Sequence, residues 1–384
     1  MYSQNDLNEA VASGAISADA ADALRNFVAG QRALPGVDEE HFRLITGFND
    51  IFVAIAGAIL LFAVGWIGQS IGQSTGLMLS DGGSEGPSFL GPLAVAATSW
   101  GLALFFTARR RMALPSIIFV FTFLFGVLGA VGMLEGHMFM AMTGGDPEGF
   151  FQNQQAAARG TMAVMGAIAF AVTAVAAWFH WRRFKVPVTI AAGAAAVVGI
   201  LLAIIASFLV DTVSNVENIM LGFALLMGIG VFLFAMRWDA SDPARTTRRS
   251  DVAFWLHLLA APLIVHPIFT LLGLNDGNAT IVEGLIVIAL YVALGVTALA
   301  IDRRALLVSA LAYVLYALSN LFEQFGAVQL NIALTALVIG SALLLLSAYW
   351  HQARRVVVAA LPVPLQKRLP LLDRSVVVSQ PAAA

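Results

Sequence analysis

Cysteine is missing altogether from the 384 residues. Its absence excludes disulfides and thiolate metal centres, and it fits any redox compartment. Charge is scarce too: Asp, Glu, Lys and Arg make up 11% of the chain, against 59% apolar residues and a mean hydropathy of +0.85. A soluble domain carries about 25% charged residues, so a water-soluble globule is excluded. No HExxH, GxSxG, Walker loop or dinucleotide fingerprint occurs, and the acidic residues are too scattered to pair as acid and base. Neither an enzymatic activity nor a cofactor is expected. There is no basic patch of the kind that binds nucleic acid. A basic start followed by an apolar run is also lacking, so the first apolar segment is expected to act as an uncleaved insertion signal.

What is present is a ladder of ten apolar segments, at 50–71, 89–107, 114–134, 156–181, 187–210, 219–237, 252–274, 281–301, 305–321 and 327–350. Most have about the 20 residues that a helix needs to cross about 30 Å of hydrocarbon. Twenty of the 21 Lys and Arg residues fall on one side of this ladder, Arg159 being the exception. The positive-inside rule then places the basic turns and both termini in the cytoplasm. The expected fold class is all-α, a polytopic transmembrane helical bundle of about ten helices in an inner membrane, with the lipid bilayer as its first partner. Trp178, Trp181, Trp238, Trp255 and Trp350 sit at predicted cytoplasmic helix ends, as an aromatic belt would.

Three regions follow. Residues 1–48 read as a cytosolic helical hairpin, with one helix ended near Gly14 and a second capped by Ser17. Its apolar stripe (Leu24, Phe27, Val28) is too small for a core of its own, so it is expected to dock on the membrane face or on a cytosolic protein partner. Residues 49–350 form the bundle. Residues 351–384 read as a basic tail on the anionic inner leaflet, interrupted by Pro362, Pro364 and Pro370.

The stretch Gly14-Ala15-Ile16-Ser17-Ala18-Asp19-Ala20-Ala21-Asp22-Ala23-Leu24, ahead of a polytopic region, resembles the N-terminal segment of a family of bacterial membrane proteins described as a domain of unknown function. The resemblance covers about the first 70 residues. It implies a bacterial inner-membrane setting and no activity or site.

Within the bundle, two basic turns look alike: Arg109-Arg110-Arg111-Met112-Ala113-Leu114 and Asp302-Arg303-Arg304-Ala305-Leu306-Leu307. Trp178-Phe179-His180-Trp181-Arg182-Arg183 likewise resembles Trp350-His351-Gln352-Ala353-Arg354-Arg355. These matches keep their order, so residues 49–181 and 251–350 read as parallel repeats joined by 187–237, unless positive-inside turns simply look alike. Gly126, Gly129, Gly132, Gly193, Gly199, Gly222, Gly228 and Gly230 read as close-packing positions.

Candidate functional residues concentrate in the second half. The seventh segment holds His257, Pro262, His266 and Pro267, and each proline frees a carbonyl, at Leu258 and Leu263. Broken helices with freed carbonyls are a transporter device. Interior histidines are functional candidates by default, though packing histidines are the blander alternative. On the ninth segment Ser309, Tyr313, Tyr316, Asn320 and Glu323 form one polar stripe. The expectation is a polar path between these two segments, lined by His257, His266, Tyr313, Tyr316 and Asn320. Interhelical hydrogen bonding is the structural alternative. His137, Met138, Met140 and Met142, read as an outer loop, form a weak Cu(I) candidate against a plain packing role. Asp302 and Arg303-Arg304 read as a simple turn. A carrier or permease for a small solute or ion is therefore expected. The alternative is a non-transporting scaffold or sensor whose cytosolic hairpin binds a partner.

Overall fold

The computed structural model describes residues 11–24, 48–79, 86–209, 215–243, 245, 247–273, 281–324, 330–366, 369–370 and 372. The chain divides into two units, 1–42 with 371–384, and 43–370. In the first unit residues 18–24 are helical. The Ser17 hydroxyl accepts from the Ala20 amide at 3.1 Å, and Gly14 ends the preceding turn at φ +73°. The expected cap and stop are both in place. Phe27 and Val28 lie outside the described residues.

The second unit is an all-α polytopic bundle. Its helices are α1 (Phe48–Thr75), α2 (Leu90–Leu102, continued by a π-turn over Ala103–Thr107), α3 (Ala113–Met142), α4 (Gln155–Phe184), α5 (Val188–Leu209), α6 (Val216–Ala240), α7 (Arg248–Leu271), α8 (Ile281–Ile301), α9 (Ala305–Gln324), α10 (Asn331–Ala348) and α11 (Trp350–Ala359). Each of the ten predicted segments is matched by one of these helices among the described residues. Among the described residues, eight helices are long and apolar enough to cross a membrane, or nine if α10 and α11, bent at their junction, count as one span. Helix is the form expected there, because hydrocarbon leaves backbone groups no partner outside their own segment. The protein is a multi-pass membrane protein, and large apolar side chains such as Phe62, Trp66, Phe125 and Leu344 face outward, as lipid contact requires.

Several boundaries differ from the sequence reading. α3 runs to Met142, so the His137–Met142 stretch is helix rather than loop. α7 continues without a break through Pro262 and Pro267. The chain bends by 76° between α10 and α11, and α11 makes the first part of the segment read as a basic tail a short amphipathic helix. Trp350, Arg354 and Val358, four residues apart, turn one face of α11 into the protein. Trp350 and Arg354 are therefore internal, not belt and tail residues on lipid. Asp50 lies in the first turn of α1 and is buried.

Close approach occurs at some of the expected glycines. A Cβ at Gly126 would lie 2.7 Å from the Pro92 oxygen, so α2 and α3 meet backbone to backbone. A Cβ at Gly228 would lie 2.8 Å from the Leu263 carbonyl, the group that Pro267 deprives of its helical donor. Gly132, Gly222 and Gly230 meet nothing within 4 Å and are not packing positions.

α1 packs along α2 and α3, α4 along α5, and α6 along α7. α7 also packs on α5 and α9. Its main neighbour is thus α6, whereas α1, its counterpart in the suspected repeat, packs chiefly on α2. The basic-end turns share one device: Arg111, Lys185, Arg245 and Asp302 each adopt a left-handed conformation, with φ between 55° and 57°. Such a residue reverses the chain in little space, at a cost of about 1–2 kcal/mol for a side chain with a Cβ. After three of these turns the next residue is driven inward: Met112, Val186 and Arg303 are all buried. Two are apolar plugs and the third is an arginine.

Candidate functional site

Burying Arg303 requires a counter-charge, and the fold supplies one. Asp239, next to last in α6, is almost fully buried. Arg303 donates from Nε to Asp239 Oδ2 at 3.2 Å and from Nη2 to Asp239 Oδ1. Nη2 also reaches the Ser250 carbonyl at 3.1 Å and its hydroxyl at 3.3 Å, at the start of α7. His257, one to two turns deeper on α7, donates from Nε2 to Asp239 Oδ2 at 3.0 Å. A carboxylate only accepts, which assigns the proton to Nε2. His257 Nδ1 is buried without a hydrogen-bond partner, and the ring lies edge-on to Phe232 at 5.2 Å. One carboxylate thus ties together α6, α7 and the α8–α9 turn, with its charge balanced by Arg303.

A second carboxylate extends the group. Asp302 accepts from Arg245 Nη1 at 3.0 Å and from the Trp350 indole at 2.8 Å. Arg245 also donates to the Ile301 and Asp302 carbonyls, at 2.9 and 3.0 Å. Arg354 lies 3.8 Å from Asp302 and donates to the Pro370 carbonyl at 2.7 Å. The α6–α7 connection that delivers Arg245 is itself folded by Asp242, which accepts from the Thr247 amide and hydroxyl at 2.9 and 2.7 Å. Two carboxylates and three guanidiniums therefore lock the ends of α6, α7, α8, α9 and α11. Paired and hydrogen-bonded, they meet the condition under which charges survive burial.

The expected polar path is distributed differently. His257 belongs to this group and points to α6, not to α9. His266 is exposed, as is Tyr316. The side chains of Tyr313 and Asn320 lie outside the described residues. Between α7 and α9 the described core is apolar: Val265, Phe269, Val287 and Val314 pack together. A cavity of about 370 Å³ lies on the other side of α7, among α3, α4, α5 and α7. Its lining is apolar, including Phe121, Phe125, Phe170, Trp255 and Pro262. Trp255 forms part of its wall.

The copper candidates do not converge. His137 Nδ1 pairs with the Met78 carbonyl at 2.9 Å, while Met138 and Met142 are exposed on α3. Among the described residues no three His, Asp or Glu side chains are grouped to hold a metal. A further buried histidine, His180 on α4, pairs with Thr189 at 3.2 Å and sits among Trp100, Phe123 and Phe184.

Sequence reasoning gave Asp239 and Arg245 no role and read Asp302 and Arg303 as a simple turn. A signal was available: Asp239, Asp242, Asp251 and Asp302 are acidic residues at the basic end of the ladder, where topology alone asks for none. Comparison with protein-family models, curated proteins and solved structures finds no match.

Proposed function

We propose that this chain is a carrier or permease of a bacterial inner membrane, moving a small solute or ion, with its arginine-rich turns and both termini in the cytoplasm. One observation supports the reading above others: Asp239, His257 and Arg303 are buried together where the basic ends of α6, α7 and the α8–α9 turn meet. Ionisable side chains buried in membrane proteins are costly and commonly mark ion or proton pathways. In the arrangement described, Arg303 balances Asp239 and holds the α8–α9 turn against α6 and α7. Rocking of α8–α9 away from α6–α7, in the manner of alternating access, withdraws Arg303. Asp239 is then left to take a proton or a cationic solute, with His257 as the neighbouring relay.

The test is flux. Proteoliposomes holding the full chain are screened with inorganic cations, amino acids, sugars and nucleosides, with and without a pH gradient. At least one class is expected to move, and Asp239→Asn or His257→Gln is expected to abolish its pH dependence. The carrier reading fails if no class moves, or if replacing both His257 and His266 in a normally inserted protein changes neither flux nor phenotype.

The scaffold reading keeps one specific support, the Ser17-capped helix ahead of the bundle. Deleting residues 1–40 separates the two: a scaffold loses its partner, whereas a carrier keeps its flux.

A further inference from the structure

The cavity of about 370 Å³ among α3, α4, α5 and α7 is separate from the Asp239 group. On α5 it is lined by Ala191, Ala192, Ala195 and Ala196, whose small side chains make the room. Aromatic rings make the other walls. Phe121 lies nearly parallel to Phe125, at 6.1 Å and 18°, and edge-on to Trp255, at 6.3 Å and 68°. Phe170 of α4 is seated against Gly199 of α5, where a Cβ would lie 2.6 Å from its ring. The hydroxyl of Thr173, another lining residue, is turned to the Ala169 carbonyl at 2.8 Å. Phe125 is 67% exposed and Pro262 is exposed as well, so the mouth opens to the outside of the bundle. Phe125, Phe170 and Pro262 fall near the middle of their helices, which sets that mouth in the hydrocarbon layer rather than in water.

We infer that this cavity is a binding site for a flat, lipid-soluble compound of fused rings, taken up sideways from the bilayer. An apolar cavity of about 150 Å³ holds one benzene, and this one is about 2.5 times larger. The hydrophobic effect cannot draw an occupant out of lipid, because lipid tails are as apolar as the walls. Selection must come from shape and ring contacts, and both favour rings over chains. A rigid ring system loses little freedom on binding, whereas a lipid tail has to be ordered. Aromatic pairs also contribute beyond the area they bury. An apolar lining rejects a charged or strongly hydrogen-bonding compound, whose polar groups would be left unmatched. The site does not depend on transport.

The test is energy transfer from Trp255 to pyrene, a flat compound of four fused rings. The full chain in phosphatidylcholine nanodiscs is titrated with pyrene, and Trp255→Phe defines the background from the other tryptophans. A saturable component that Trp255→Phe removes is expected, displaced by androstane, a saturated fused-ring compound, and not by tetradecane, a flexible chain. Ala195→Phe fills the cavity and is expected to abolish the component. Val197→Phe adds bulk at a position on the same helix that is 48% exposed and does not line the cavity, and is expected to leave the component unchanged. Phe125→Ala removes one wall at an exposed position that folding tolerates, and is expected to weaken pyrene binding by roughly two- to tenfold. It keeps the test decisive if Ala195→Phe does not fold. Transfer that never saturates, or that Trp255→Phe leaves unchanged, overturns the site. Displacement by tetradecane as readily as by androstane overturns the ring preference and marks a groove for lipid tails. Wild-type binding by Phe125→Ala overturns the assigned walls.

Discussion

Replacing Asp239 by Asn changes one charge and almost no volume, so it isolates what the buried carboxylate does. The amide oxygen can still accept from His257 or Arg303. What disappears is the charge that balances a guanidinium only 3% exposed. Two magnitudes compete. An interhelical hydrogen bond in a membrane is worth about 0.6 kcal/mol on average, whereas leaving one partner of a buried ion pair costs about 3–5 kcal/mol. Arg303 keeps the Ser250 carbonyl and hydroxyl as acceptors, which places the expectation near the lower end, about 3 kcal/mol. Equilibrium unfolding in mixed micelles, followed by tryptophan fluorescence, measures it. Trp350 is a built-in reporter, because its indole is bonded to Asp302 in the same locked end. Combining Asp239→Leu with Arg303→Met removes both charges and is expected to recover most of the loss, since apolar replacement of a buried pair is often neutral. A single-variant loss below about 1 kcal/mol would refute the buried-charge reasoning. A double variant less stable than either single would refute it equally. The double variant also separates structure from function: folded and without flux, it supports the carrier; folded with unchanged flux, it reduces the group to a staple.

Three further outcomes are expected. Gly228→Ala forces a methyl into the Leu263 carbonyl and is expected to destabilise the α6–α7 pair by about 1–3 kcal/mol. Gly230→Ala, which meets nothing within 4 Å, should be neutral or gain up to about 1 kcal/mol of helix propensity; equal effects in the same unfolding assay would refute the packing geometry. Ser17→Ala removes the cap on the Ala20 amide and is expected to cost about 1 kcal/mol locally, read as faster hydrogen exchange at Ala20, and unchanged exchange would count against the cap. Because the chain has no cysteine, single substitutions report topology without background: Arg110→Cys should react with a membrane-impermeant thiol reagent only in inverted vesicles, and Glu148→Cys only in right-side-out ones. Labelling of both from the same side would refute the orientation.

The helices were legible because lipid imposes one rule on every span: enough apolar residues, with the backbone satisfied internally. α3 shows where that rule stops. Hydropathy places its end near Leu134, yet the helix continues to Met142, because helix geometry tolerates residues that lipid does not demand. The polar stripe of α9 was visible by spacing, but spacing fixes which residues share a face and not what that face meets. His257 was singled out for burial among prolines, and its partner lay 18 residues earlier on another helix.

Arg303 is the instructive miss. An arginine in a short basic turn satisfies the positive-inside rule whether its side chain turns outward or inward, so the rule carries no information about burial. The left-handed residue before it decides the matter. At the α2–α3 and α4–α5 turns the same geometry buries Met112 and Val186, which need no partner. At the α8–α9 turn it buries a charge, and a buried charge must be matched. Asp239 is the acidic residue that matches it, and Asp302 beside it pairs with Arg245. The pairing of an inward-driven arginine with a buried carboxylate on a neighbouring helix is therefore what separates this turn from its topological look-alikes.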